Sequence, residues 1–142
     1  MSYKTAAAIA VLLVGAADLA HSDDKKGKKP AMELRSSPRF AFSPAQILFT
    51  AELKGGDDVE ELYCPEVEWE WGDETSSEST TDCEPYEAGK SQIKRRYTVQ
   101  HEFRRPGTYK IYLHFKSSNR ILGSGTTTLQ VQPGVGSGPD GL

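Results

Sequence analysis

The run Val67-Glu68-Trp69-Glu70-Trp71 leaves the chain little choice of local structure. Side chains of a strand point to opposite faces in turn, so Val67, Trp69 and Trp71 share an apolar face while Glu66, Glu68 and Glu70 share an acidic one. The run stops at Gly72-Asp73. A second alternation, Tyr109, Ile111, Leu113 and Phe115 against Lys110, Tyr112, His114 and Lys116, follows the turn signal Pro106-Gly107. Two half-buried strands of one sandwich account for both runs.

A further strand pattern, Ile47 to Leu53, precedes them, and Ile121 to Gln132 reads as a last strand interrupted at Gly123-Ser124-Gly125, where a bulge or bend is expected. Gly55-Gly56-Asp57-Asp58 and Lys116-Ser117-Ser118-Asn119 supply turns. In this order, Trp-x-Trp-Gly-Asp and then His-x-Phe-x-x-Pro-Gly-x-Tyr-x-Ile-x-Leu resemble the signature of the polycystic kidney disease (PKD) domain, an immunoglobulin-like sandwich common in extracellular proteins. The likeness spans Pro38 to Gln132 and falls on Trp69, Trp71, Gly72, Asp73, His101, Phe103, Pro106, Gly107 and Tyr109. It implies an all-β, immunoglobulin-like (PKD-type) two-sheet β-sandwich with both tryptophans buried. Where that family usually continues Gly-Asp-Gly, this chain has Glu74. A non-glycine residue there predicts the loss of the usual tight turn and a long polar loop from Asp73 to Pro85.

Near its start the chain carries Lys4, an apolar run from Ala6 to Ala17, and the small-residue stretch Ala20-His21-Ser22. That is the pattern of a signal peptide over residues 1–22, cut after Ser22 or, as the other candidate, after Ala17. About a dozen apolar residues fall short of the roughly 20 that span a bilayer, so the mature chain is expected to carry no transmembrane anchor; a short buried helix or an anchor is the competing reading. The expected location is secreted or periplasmic. Residues 23–37, with Lys25, Lys26, Lys28 and Lys29, read as a flexible basic leader holding at most a short strand at Met32 to Arg35. Residues 38–132 form the sandwich, and residues 133–142 a disordered Gly- and Pro-rich tail.

The net charge of −3 does not change when residues 1–22 go, because Lys4 and Asp18 cancel, and this mild acidity argues against a nucleic-acid partner. Charge is nonetheless divided along the chain. Asp57 to Glu87 holds many acids and no Lys or Arg, whereas Lys90 to Arg120 is basic apart from Glu102. Cross-strand pairing of Glu66, Glu68 and Glu70 with Lys110, His114 and Lys116 is the plain explanation, and a dipolar docking surface the sharper one. Cys64 and Cys83 are the only cysteines, and in an exported chain they read as a disulfide, contributing roughly 3 kcal/mol in the chain-entropy model. Zinc competes poorly because it needs about four ligands.

Candidate binding residues are Glu66, Glu68 and Glu70 on the outward phase of their strand, Glu74 in the unusual loop, and Tyr86 and Tyr112 as exposed aromatics. His101 reads as a structural histidine bonded to the turn that follows it, and Tyr109 as a tyrosine-corner residue whose hydroxyl reaches nearby backbone. Asp73 with Glu74, and Asp57 with Asp58, offer hard oxygen ligands without the spacing of a calcium loop, so no cofactor and no metal is expected, with calcium the low-ranked exception. The chain has no Gly-x-Ser-x-Gly elbow, phosphate loop or His-Glu-x-x-His. The expected function is a non-enzymatic module that binds an extracellular or envelope protein. A carbohydrate-binding module with a polysaccharide partner, or a structural spacer, are the alternatives.

Overall fold

Alternation decides which face each strand buries, and the strands then fall into two sheets. The computed structural model describes residues 30–58 and 60–135; the expected signal peptide, the leader up to residue 29 and the tail from residue 136 lie outside the described residues. The strands are β1 Ala31–Ser37, β2 Phe40–Phe42, β3 Ala45–Lys54, β4 Glu66–Glu70, β5 Ser76–Ser79, β6 Arg96–Phe103, β7 Gly107–Ser117 and β8 Arg120–Gln132, with a single 3-10 turn at Glu60–Leu62. A three-stranded sheet runs β1-β3-β6 and a five-stranded sheet β2-β8-β7-β4-β5. Every pairing is antiparallel except β2 with β8.

This is an immunoglobulin-like two-sheet β-sandwich. Among the described residues β1 lies in one sheet and the chain crosses to the other as β2 between Pro38 and Pro44, while β4, β7 and β8 form the centre of the larger sheet that β5 extends. Between the sheets lie Ile47, Phe49 and Ala51 of β3, Val67, Trp69 and Trp71 on and after β4, Phe103, then Ile111, Leu113 and Phe115 of β7 and Leu129 and Val131 of β8. Phe49 sits at the centre of this layer, its ring centroid 5.3 Å from that of Trp71 and 6.1 Å from that of Phe103.

The structure corrects several expectations. The sandwich begins at Ala31 rather than Pro38: β1 pairs with β3 along its whole length and buries Leu34, so residues 31–37 belong to the fold. Closure on that side depends on Gly125, where a Cβ would stand 2.7 Å from Met32 Cγ. The irregularity expected at Gly123-Ser124-Gly125 is present as a register shift opposite Phe115/Lys116 beside Gly123, within a strand that runs from Arg120 to Gln132. The stretch Asp73 to Pro85 is not simply a loop, because Ser76–Ser79 forms β5. The tight turn survives as well. Gly72 and Glu74 both adopt positive φ (75° and 70°), and the Trp71 N–H donates to the Thr75 carbonyl at 3.0 Å. Gly72 is indispensable there, since a Cβ would lie 2.6 Å from the Lys110 carbonyl oxygen. At the β7–β8 turn Ser118 and Asn119 both have positive φ (48° and 64°), the geometry of a two-residue hairpin whose twist suits the flanking strands.

Candidate functional site

The outward residues of the five-stranded sheet form a graded platform. In-register pairing places Phe40 and Phe42 of β2 beside Gln130 and Gln132 of β8, then Thr108, Lys110, Tyr112, His114 and Lys116 along β7, and Glu66, Glu68 and Glu70 on β4. The phenylalanines are 49% and 58% exposed, and their rings meet edge to face at 5.3 Å. Neither is among the candidate residues named from the sequence. The signal was present in Phe40-Ala41-Phe42, a three-residue alternation that fixes Ala41 inward and both rings outward.

The opposite border of the platform is acidic. Glu78 of β5 stands directly across from Glu68, a like-charge pair that by itself disfavours the sheet. Lys116 relieves it: its ammonium is ion-paired with Glu68, and that hydrogen bond, together with the charges of Glu78 and Glu66, holds it protonated above the ordinary lysine range. His114 Nε2 lies 3.5 Å from Glu70 Oε1 while its Nδ1 shares a hydrogen bond with Ser124 Oγ at 2.9 Å. Lys116 and His114 therefore meet the acids as expected. Lys110 does not; it is registered against Thr128 and its ammonium lies 5.2 Å from the Tyr112 ring centroid. Counting Glu66, Glu68, Glu70 and Glu78 against Lys110 and Lys116, the platform keeps an excess of negative charge.

Of the six residues singled out in the sequence, Glu66, Glu68, Glu70 and Tyr112 thus share one surface. Glu74 lies elsewhere, in an open cleft of about 710 Å³ at the end of the sandwich, lined by the Gly72–Thr75 turn, by His101 and Glu102, and by Arg104 to Pro106. Tyr86 lies at the other end. It is half-buried, packed at 5.5 Å from the Tyr63 ring and donating to the Asp58 carbonyl at 3.2 Å, so it is less free than expected.

The cleft is built on a stack of rings. Trp69 and Trp71 are two residues apart on one face and lie parallel with centroids 5.1 Å apart; His101 of the facing sheet stacks on Trp71 at 4.2 Å. Its Nε2 is 2.8 Å from Asp73 Oδ2, and because a carboxylate only accepts, the nitrogen donates. His101 thus clamps the β4–β5 turn of the opposite sheet instead of the Pro106-Gly107 turn after it. Burial pushes the Asp73 carboxyl up, but hydrogen bonds from His101 and from the Thr75 hydroxyl and backbone N–H outweigh it and leave it below the ordinary aspartate range. The turn after β6 is held separately, by the Tyr109 hydroxyl donating to the Arg105 carbonyl at 2.6 Å, which is the expected tyrosine-corner bond.

Cys64 and Cys83 form the expected disulfide, joining the residue two before β4 to the segment after β5. Part of the divided charge meets in ion pairs between the two blocks, with Arg95 2.8 Å from Asp58, Arg120 2.5 Å from Glu61, and Lys116 on Glu68. One member of each acidic pair weighed as calcium ligands is engaged, Asp73 by His101 and Thr75 and Asp58 by Arg95. Among the described residues no three His, Cys, Asp or Glu side chains are grouped to hold a metal ion, and no helix is long and apolar enough to cross a membrane.

No protein-family model matches the chain, and no curated protein does. Among solved structures it is similar to a CARDB domain from Pyrococcus furiosus, determined in complex with di-metal ions, with 10% sequence identity and a TM-score of 0.48 over 74% of this chain and 94% of that one.

Proposed function

We propose that the chain is an exported, non-enzymatic module of the PKD type that binds an extracellular or envelope protein through the outer platform of its five-stranded sheet. One observation carries the reading: Glu68 and Glu78 face each other across β4 and β5 with Glu66 beside them, and one Lys116 serves all three. A sheet selected for stability alone would place opposite charges there. Retained acid at one border and two exposed phenylalanines at the other suit a partner surface that is basic on one side and apolar on the other. The disulfide and the signal-peptide pattern support export, to the cell exterior or the periplasm.

The test is affinity capture from the native secreted or envelope fraction with the wild-type chain and with a Glu66→Lys, Glu68→Lys, Glu70→Lys variant. Exposed ion pairs contribute at most about 1 kcal/mol each, so the variant keeps its fold by circular dichroism and loses the captured protein. Equal capture by both forms removes the platform from the reading. A second reading, carbohydrate binding, is favoured by one feature, Tyr112 flanked by the exposed residues Thr126, Thr128 and Gln130 of β8. Retention on insoluble polysaccharide that a Tyr112→Ala variant loses, with no protein captured, selects it.

A further inference from the structure

The smaller sheet stops one strand short. His101 of β6 stacks on Trp71 and bonds Asp73, so β6 faces β4, while on the other side Met32 and Leu34 of β1 pack on Gly125 of β8. β5 therefore extends the larger sheet beyond β6, over the place a fourth strand of the smaller sheet would fill. The consequence is visible along β6. Tyr97, Val99 and His101 point toward the core layer yet remain partly exposed, while Arg96, Thr98, Gln100 and Glu102 are exposed.

The backbone of β6 is prepared on that side. The Leu53 N–H donates to the Arg95 carbonyl at 2.8 Å, and the register from there to Phe103 is uninterrupted. In an antiparallel ladder this phase commits the odd-numbered residues of β6 to β3 and turns the N–H and C=O groups of Arg96, Thr98, Gln100 and Glu102 outward. Among the described residues no strand pairs with them. β6 is also eight residues long, without proline, and its charges stand only at its two ends, Arg96 and Glu102. Natural edges of this length are usually blunted by proline, a bulge or a central lysine.

We infer that this edge is a strand-addition site for an extended segment of a partner protein, seated beneath β5. The chemistry of the segment follows from β6. Antiparallel to it, the segment carries a basic residue first, opposite Glu102, and an acidic residue six positions later, opposite Arg96. Between them polar residues meet Gln100 and Thr98, and residues at the alternate positions are apolar, to cover Tyr97, Val99 and His101. Backbone pairing supplies about eight hydrogen bonds and the end charges fix direction. This site is separate from the platform proposed above and stands or falls independently of it.

The probe is a capped synthetic peptide, Lys-Val-Thr-Val-Thr-Val-Glu, with two controls: the same peptide N-methylated at both threonines, and one with its terminal charges exchanged. The parent peptide is expected to bind the full chain and to slow amide hydrogen exchange at Thr98 and Gln100 at least 10-fold. N-methylation is expected to weaken binding at least 10-fold, because those amides face β6 in this register, and charge exchange to weaken it severalfold. Equal binding of the N-methylated peptide, protection confined to other strands, or no binding at about 1 mM peptide, a free energy near −4 kcal/mol, overturns the inference. None of these arms requires a variant of the protein, so misfolding cannot imitate a negative result.

Discussion

At the scale of single residues, the tryptophan pair was readable because strand periodicity is a local rule. Val67, Trp69 and Trp71 share a face, and the two rings are 4% and 2% exposed. The partner of His101 was not readable. It sits 28 positions away on the other sheet, and nothing in either local sequence indicates which turn the imidazole meets. Glu74 shows a different failure: the rule that positive φ favours glycine is a preference of about 1 kcal/mol, and the surrounding hairpin outweighs it. The Asp73–His101 bond yields a pH prediction. A carboxyl held below its unfolded value contributes stability that is complete above about pH 4 and is lost as pH falls through the folded value. Asp73→Asn should therefore lower stability by about 1 kcal/mol at pH 7, a melting shift of roughly 4 to 8 °C, with the difference shrinking as pH falls below about 4. A constant difference across that range contradicts the assignment.

At the scale of elements, strands with an apolar phase declare themselves and strands without one do not. β3, β4 and β7 alternate, and their burial follows their sequence. β5 is Ser-Ser-Glu-Ser, all exposed, and owes its conformation to pairing with β4 and to the turn between them, so only the folded hairpin reveals it. β1 was undervalued because the polar residues around Leu34 resemble the lysine-rich segment before it. The Cys64–Cys83 bond closes the base of the β4–β5 hairpin across a sequence separation of 19. Replacing both cysteines with serine should reduce stability by about 3 kcal/mol in denaturant titration and speed hydrogen exchange most in β5. Exchange in β5 no faster than in β7 of the same variant would show that the bond does not secure this edge.

At the scale of the whole molecule, the sandwich class was legible from two motifs in order, whereas the functional surfaces depend on how the sheets are assembled. Cross-strand register gathers Glu66, Glu68, Glu70 and Tyr112 on one platform, adds the overlooked Phe40 and Phe42 at its far border, and separates Glu74 and Tyr86 to opposite ends. The acidic platform is the central functional claim. It is tested most directly by placing a photo-crosslinking residue at position 112, in the middle of the platform, or at position 86, at the end of the sandwich, in cells that express the chain. A covalent adduct with one discrete protein from position 112 and none from position 86 is the predicted result. Adducts from position 86 alone, or none from position 112, contradict it.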